Sequence, residues 1–126
     1  MAVNTTNIAA RLAESLITDE TADASTEEEN IFSGTSLASK IYCVELDNTS
    51  NGISAFLKIQ FATTYNTNSS PNLQFYVPAG EKVHYLFPDG LPFTTGISFI
   101  GSVTAASTGA QTDPTNNLRV KILGGT

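Results

Sequence analysis

Few residues in this chain are able to do chemistry, and their spacing limits what each can do. A hydroxyl nucleophile needs a base beside it and a carboxylate to orient that base. His84 is the only histidine. It alternates with Val83 and Tyr85, which turns it outward on a strand, and no nucleophile-elbow motif accompanies it. It reads as a surface or interface histidine. Cys43 is the only cysteine, so no intrachain disulfide is possible. Between Tyr42 and Val44 it reads as a small core or interface hydrophobe rather than a reactive thiol. One His and one Cys cannot supply the three or four nitrogen and sulfur ligands of a zinc site.

The carboxylates Glu45, Asp47, Glu81 and Asp89 are of the type glycosidases pair, but only their separation in space would give them that role. Asp19, Glu20, Asp23, Glu27, Glu28 and Glu29 crowd residues 18–30 without the spacing of a calcium loop, so they read as a solvated charged segment. Neither glycine-rich phosphate-cradling motif occurs. Asn4, Asn48 and Asn68 each open a glycosylation pattern, which carries little weight without a secretory signal. Tyr65, Phe75, Tyr76 and Tyr85 are able to line a sugar-binding face, with core or subunit packing as the competing reading. The expectation is a protein that is not an enzyme, with no catalytic residues, no metal and no cofactor.

The elements that must position these groups are strands. Residues 39–62 form two apolar runs of period two around the turn cluster Asp47-Asn48-Thr49-Ser50-Asn51-Gly52, which predicts an antiparallel hairpin. Tyr42, Val44 and Leu46 are expected on one face of its first arm, with Ile41, Cys43 and Glu45 opposite. Ile53, Ala55, Leu57, Ile59 and Phe61 are expected inward on the second arm, with Ser54, Lys58 and Gln60 outward. A second hairpin is predicted over residues 73–87 around Pro78-Ala79-Gly80, followed by a connection punctuated by Pro88, Gly90 and Pro92. Further strands follow at Ile97 to Val103, where Gly101 marks a bulge or a close approach, and at Leu118 to Leu123.

These six to seven antiparallel strands predict an all-β domain, a β-sandwich or jelly-roll-like barrel, over residues 31–126. Residues 1–30 differ, reading as an extended N-terminal arm with a short helix over residues 7–17 and the acidic segment behind it. Ile8, Leu12, Leu16, Ile31 and Phe32 are the expected arm-anchoring residues. With six basic against twelve acidic residues the net charge is −6, which disfavours nucleic acid and an anionic bilayer as partners. No apolar run reaches the length of a membrane span, and the N-terminus lacks a secretory layout, so synthesis in a cytoplasm is expected.

The segments VELDNTSNGISAFLKIQFA at 44–62, VPAGEKV at 77–83, FPDGLPFTTGISF at 87–99 and the lead-in ITDETADASTEEENIFSG at 17–34 resemble a small β-rich family of tailed-bacteriophage virion proteins, particularly those of cyanophages. The resemblance implies a structural part without catalytic residues. A capsid decoration or cement protein on the capsid exterior is the first expectation, bound to the major capsid protein or other virion proteins. A tail, fibre or head-to-tail component, including a receptor- or glycan-binding module, is the alternative. A small core is helped by oligomerisation, so a homo-oligomer, with a trimer favoured, is expected.

Overall fold

The computed structural model describes residues 15–19, 21–24, 28–31, 39–62, 64–93 and 96–125, with residues 15–19, 28–31 and 39 described by their backbone. Among the described residues all regular elements are strands: β1 (Ser15–Asp19), β2 (Glu28–Ile31), β3 (Ser39–Asp47), β4 (Ala55–Gln60), β5 (Leu73–Val77), β6 (Lys82–Phe93), β7 (Ile97–Ser102) and β8 (Arg119–Gly125). Strands β3 to β8 make two three-stranded antiparallel sheets, β8-β3-β6 and β7-β4-β5. β1 adds to the first beside β8, and β2 to the second beside β7. We call these sheets A and B.

Alternation along each strand builds the core. Ile41, Val44 and Leu46 of β3 and Val120 and Ile122 of β8 come from sheet A; Ala55, Leu57 and Ile59 of β4, Phe75 and Val77 of β5, and Ile97 and Phe99 of β7 come from sheet B. They form one buried cluster, so the two sheets share a single apolar interior. Each valine, leucine, isoleucine or phenylalanine among them contributes roughly 1.5–3 kcal/mol when fully buried. Gly101 is a close approach and not a bulge. It keeps register with Leu57, and an added Cβ would lie 3.0 Å from Ala22 Cβ and from Leu118 Cδ2.

The structure corrects four of the sequence expectations. First, neither predicted hairpin is one. β3 and β4 lie in different sheets, as do β5 and β6, so residues 48–54 and 78–81 cross from one sheet to the other. The hairpin is β4–β5, closed by the loop over residues 61–72. Two buried asparagines hold the crossings together. Asn48 Nδ2 donates to the carbonyls of Ile53 (2.9 Å) and Pro78 (3.1 Å), and its backbone N–H donates to Glu81 O. Asn51 Nδ2 donates to Asn48 Oδ1, and Gly80 N donates to Asn51 O. A buried carbonyl without a donor is costly, so these amides stabilise sheet-crossing corners that a tight turn would not need.

Second, Ile41 faces inward and Tyr42 outward. The register of β3 shifts between Ile41 and Cys43 against both of its neighbours, so Tyr42 and Cys43 are consecutive residues between the buried Ile41 and Val44. A bulge of this kind reverses the alternation on one side of itself. Third, residues 88–92 do not leave the sheet. β6 continues to Phe93, with residues 87–90 inserted opposite Tyr42. Gly90 has φ +79°, and an added Cβ would sit 2.7 Å from Lys40 Cδ and 3.0 Å from Tyr42 Cε1, which explains glycine there.

Fourth, residues 15–17 of the expected helix belong to β1, paired Ser15↔Gly124 and Ile17↔Ile122. A helix this short is marginal, whereas the free edge of β8 offers a row of backbone partners. Residues 7–14 lie outside the described residues.

Candidate interaction face

Sheet A presents its outer face in cross-strand rows. The register sets Lys82, Asp47 and Arg119 in one row, and His84, Glu45 and Lys121 in the next. The third row is Leu86, Cys43 and Leu123, with Tyr42 beside Cys43 in the bulge. Backbone register also sets Leu16 of β1 level with Leu123. Leu86 is 70% exposed, the largest exposure among the described large hydrophobic residues, and Tyr42, Cys43 and Leu123 are half-buried. The result is an apolar band across the middle of β3, bordered by Lys40 at one end and by charged rows at the other.

The charged rows are internally compensated. Lys82 Nζ lies 2.8 Å from Glu45 Oε1, and His84 Nε2 lies 3.2 Å from Glu45 Oε2. The hydrogen bond from Lys82 holds the Glu45 carboxyl below its ordinary range, and the same bond raises Lys82. Asp47 accepts from the Thr49 hydroxyl (2.5 Å) and backbone N–H (3.0 Å), and these bonds lower its pKa. Burial, then the nearby Glu45 charge, push the Cys43 thiol up, away from the thiolate that nucleophilic chemistry requires.

Sheet B differs on its outer face. Lys58 and Gln60 point outward, as alternation predicts, yet both are buried because two loops close over them. Lys58 Nζ donates to Thr104 O (2.7 Å), Ala106 O (2.5 Å) and Gln111 Oε1 (2.6 Å), which engages all three ammonium hydrogens. Burial pushes this ammonium below the ordinary lysine range. Gln60 Nε2 donates to Asn66 O and Ser69 O, while Gln60 Oε1 accepts from Asn66 N–H. Two polar side chains thus fasten the loops over residues 61–72 and 103–112 as a roof.

The carboxylates singled out from the sequence do not converge on a concavity. Glu45 and Asp47 sit in successive rows of the open face, and Glu81 and Asp89 are exposed at the 78–81 crossing and in the β6 insertion. A cleft of about 180 Å³ lies elsewhere, lined by Thr21, Ala22, Asp23, Asp113, Pro114, Thr115, Asn116 and Asn117. Its lining includes no aromatic residue. Ala24 N–H donates to Asp113 Oδ1 at 2.8 Å, tying the two segments together. Among the described residues no three His, Cys, Asp or Glu side chains gather as a metal-ligating group.

The four aromatic residues read as a possible sugar face do not make one exposed face, since Tyr65 and Phe75 are buried. Phe75 is in the core, its ring centroid 4.9 Å from that of Tyr85. Tyr65 is buried, and Tyr76 is 46% exposed with its hydroxyl 3.1 Å from Ser54 Oγ. Tyr85 Oη donates to Tyr76 O at 2.5 Å, bridging the edges of the two sheets. Of the expected arm anchors, Ile8, Leu12 and Phe32 lie outside the described residues. Leu16 pairs with Leu123 and Ile31 with Ile97 by backbone register.

Sequence reasoning missed Tyr42 and the significance of Leu86. The signal available was the run Ile41-Tyr42-Cys43-Val44, four apolar residues in which strict alternation has to fail if both Ile41 and Val44 are to be buried. No family model matches the chain, no curated protein matches it and no solved structure matches it.

Proposed function

We propose that this chain is a non-enzymatic virion structural protein, a capsid decoration or cement component that works through contacts with other copies and with the major capsid protein on the capsid exterior. The observation that carries the reading is the strand order. The orders β1-β8-β3-β6 and β2-β7-β4-β5 correspond to those of an eight-stranded jelly roll, an architecture used by viral capsid domains and also by lectins. This is a fold-level analogy, joined by the sequence resemblance and by the apolar band left open on sheet A.

The distribution of charge supports an exterior position. Residues 1–30 hold Arg11 against seven acids, while residues 31–126 hold five basic and five acidic residues, so the entire net charge of −6 lies in the leading segment. A segment with that charge is repelled by packaged nucleic acid, which supports a position outside the shell. Co-sedimentation of the full chain with bare capsids tests the reading, and deleting residues 1–14, which leaves β1 and β2 in place, tests the arm's part in it. Loss of most of the bound protein is expected on deletion. Undiminished binding of the shortened chain overturns the arm's part, and no binding by the full chain overturns the reading.

The second reading, a glycan-binding module on a tail or fibre, draws on the same fold and on the polar cleft beside Asp23 and Asp113. Glycan-array binding abolished by Asp113→Ala, with capsid co-sedimentation absent, favours it over the first.

A further inference from the structure

We propose that Asn51 is a site of spontaneous deamidation whose conversion opens one end of the sandwich irreversibly. The inference is independent of the assembly reading and concerns the corner where the two sheet crossings meet. Three observations carry it.

The first is a glycine that the fold does not require. Asn51 is the only asparagine followed by glycine. Gly52 is exposed, a Cβ added there would meet nothing within 4 Å, and its backbone does not occupy the left-handed region that Gly80 and Gly90 use. Conformation and packing would therefore accept an ordinary side chain at this position. What glycine does supply is access, since no side chain at residue 52 hinders its backbone nitrogen from attacking the preceding carboxamide. The second observation is how that carboxamide is held. Asn51 is 5% exposed; its Nδ2 donates to Asn48 Oδ1 (2.9 Å) and Asn117 O (3.3 Å), and its Oδ1 accepts from Asn116 N–H (2.7 Å). While these bonds last the group is not free to turn toward Gly52 N, so the reaction waits for the corner to open.

In the open corner the Gly52 nitrogen bonds to Asn51 Cγ, the Cγ–Nδ2 bond breaks, and the Gly52 amide proton passes through water to the departing nitrogen, which leaves as ammonia. Water then opens the resulting succinimide to aspartate or isoaspartate, so one water is consumed for each ammonia released. The third observation is the mismatch left behind. A carboxylate at residue 51 still accepts from Asn116 N–H, but its other oxygen faces Asn48 Oδ1 and Asn117 O, both acceptors. Asn48 is not able to turn its amide over, because its Nδ2 is committed to Ile53 O and Pro78 O. A buried carboxylate set against two acceptors is unfavourable. Isoaspartate also lengthens the main chain by one atom at a residue whose carbonyl accepts from Gly80 N–H. The converted corner therefore does not close again. Asn116 and Asn117 line the cleft beside Asp23 and Asp113, so that wall loosens with the corner.

Incubating the full chain in mildly alkaline buffer and mapping its peptides by mass reads the site, since deamidation adds about 1 Da. Conversion is expected at Asn51 ahead of every other asparagine. Gly52→Ala should keep the parent's urea midpoint and slow conversion at Asn51 by at least about tenfold. Urea added below the unfolding transition should change the conversion rate in step with hydrogen exchange at the Gly80 and Asn116 amides, which report the same opening. In Asn51→Asp, the product made directly, those two amides should exchange at least about tenfold faster than in the parent.

Asn51 left intact while another asparagine converts overturns the assignment of the site. Conversion of Gly52→Ala at the parent's rate overturns the attack by the Gly52 nitrogen, and a lowered urea midpoint in that variant shows that the fold needs the glycine after all. Parent-like exchange at Gly80 and Asn116 in Asn51→Asp overturns the irreversible opening. None of these results bears on the virion reading, which capsid co-sedimentation tests separately.

Discussion

The two outer faces of this molecule start from the same rule and end in different states, with sheet B roofed over Lys58 and Gln60 but exposed at Gln74 and Tyr76, and sheet A open along β3. On both sheets, period-two alternation turns polar residues outward: Lys58 and Gln60 on β4, Glu45 and Asp47 on β3. On sheet B those residues become interior ones, because the loops over residues 61–72 and 103–112 fold back across them and use them as anchors. On sheet A they remain at a surface, where Glu45 pairs laterally with Lys82 and His84 and Asp47 accepts from Thr49. An outward residue is therefore exposed only if no loop reaches it, and loop length decides that more than the strand does.

The comparison breaks most readily at Lys58. Lys58→Ala removes the donor for three acceptors under the roof; hydrogen bonds to a charged group contribute roughly 1.5–3 kcal/mol each net of exchange with water, and the cost of burying the ammonium offsets part of their sum. Urea unfolding should show a loss of about 3 kcal/mol, and hydrogen exchange should show amides of the loop over residues 103–112, including Val103, opening first. Unchanged stability would mean the roof is held by something other than the ammonium.

Gln60→Ala is expected to cost about 2 kcal/mol, since it strands two carbonyls and one backbone N–H of the hairpin loop. Its exchange signature should be confined to residues 61–72, which separates it from the Lys58 variant.

The open face should respond to pH before it responds to truncation. Glu45 and Asp47 both titrate lower in the folded chain than in the unfolded one, where their values are about 4.3 and 3.9. Their contribution to stability is thus complete above those unfolded values and disappears as pH falls through the lower folded ones. Stability followed from pH 6 downward should decline over that acid range, and the decline should be shallower in the Glu45→Gln, Asp47→Asn double variant. An equally steep decline in that variant would assign the acid sensitivity to other carboxylates.

The smallest effect on stability is expected at Leu86. Leu86→Asp changes a residue that is 70% exposed, so its unfolding free energy, measured where the chain is monomeric, should stay within about 0.5 kcal/mol of the parent. A large loss would show that Leu86 packs within its own chain, and would remove the distinction between a roofed face and an open one.

Period two was enough to locate β3, β4, β5, β7, β8 and the first half of β6, but not β1 or β2. β4, β5, β7 and β8 fall where alternation of Leu57 with Lys58, Phe75 with Gln74, Ile97 with Ser98 and Val120 with Lys121 puts them. Pairing was not legible in the same way. The ladder is made by backbone groups common to every residue, so two adjacent alternating runs imply a hairpin whether or not they share a sheet. Asn48 and Asn51 looked like turn formers, and they are, but their side chains also join the 48–54 crossing to the 78–81 crossing and to the loop at Asn116 and Asn117. Nothing local to Asn51 signals a partner more than sixty residues away. The candidate face was partly legible: His84, Glu45 and Lys121 were outward from alternation, whereas Tyr42 joined them only because a bulge displaced Ile41 inward.

What the amino-acid order determined alone is the predominance of β structure, the strand-forming stretches from β3 to β8, the inward side of most of their aliphatic residues, though not of Ile41 or Ile53, and the concentration of negative charge ahead of residue 31. These follow from local preferences of single residues and from the burial of apolar side chains. Tertiary structure alone decided which strands became neighbours, that Lys58 would be enclosed while Leu86 stayed open, and that Lys40 and Asp47 would border one apolar band. Those outcomes depend on contacts between segments far apart in the chain, where a hydrogen-bond donor has to meet its acceptor in space and no periodicity records the meeting.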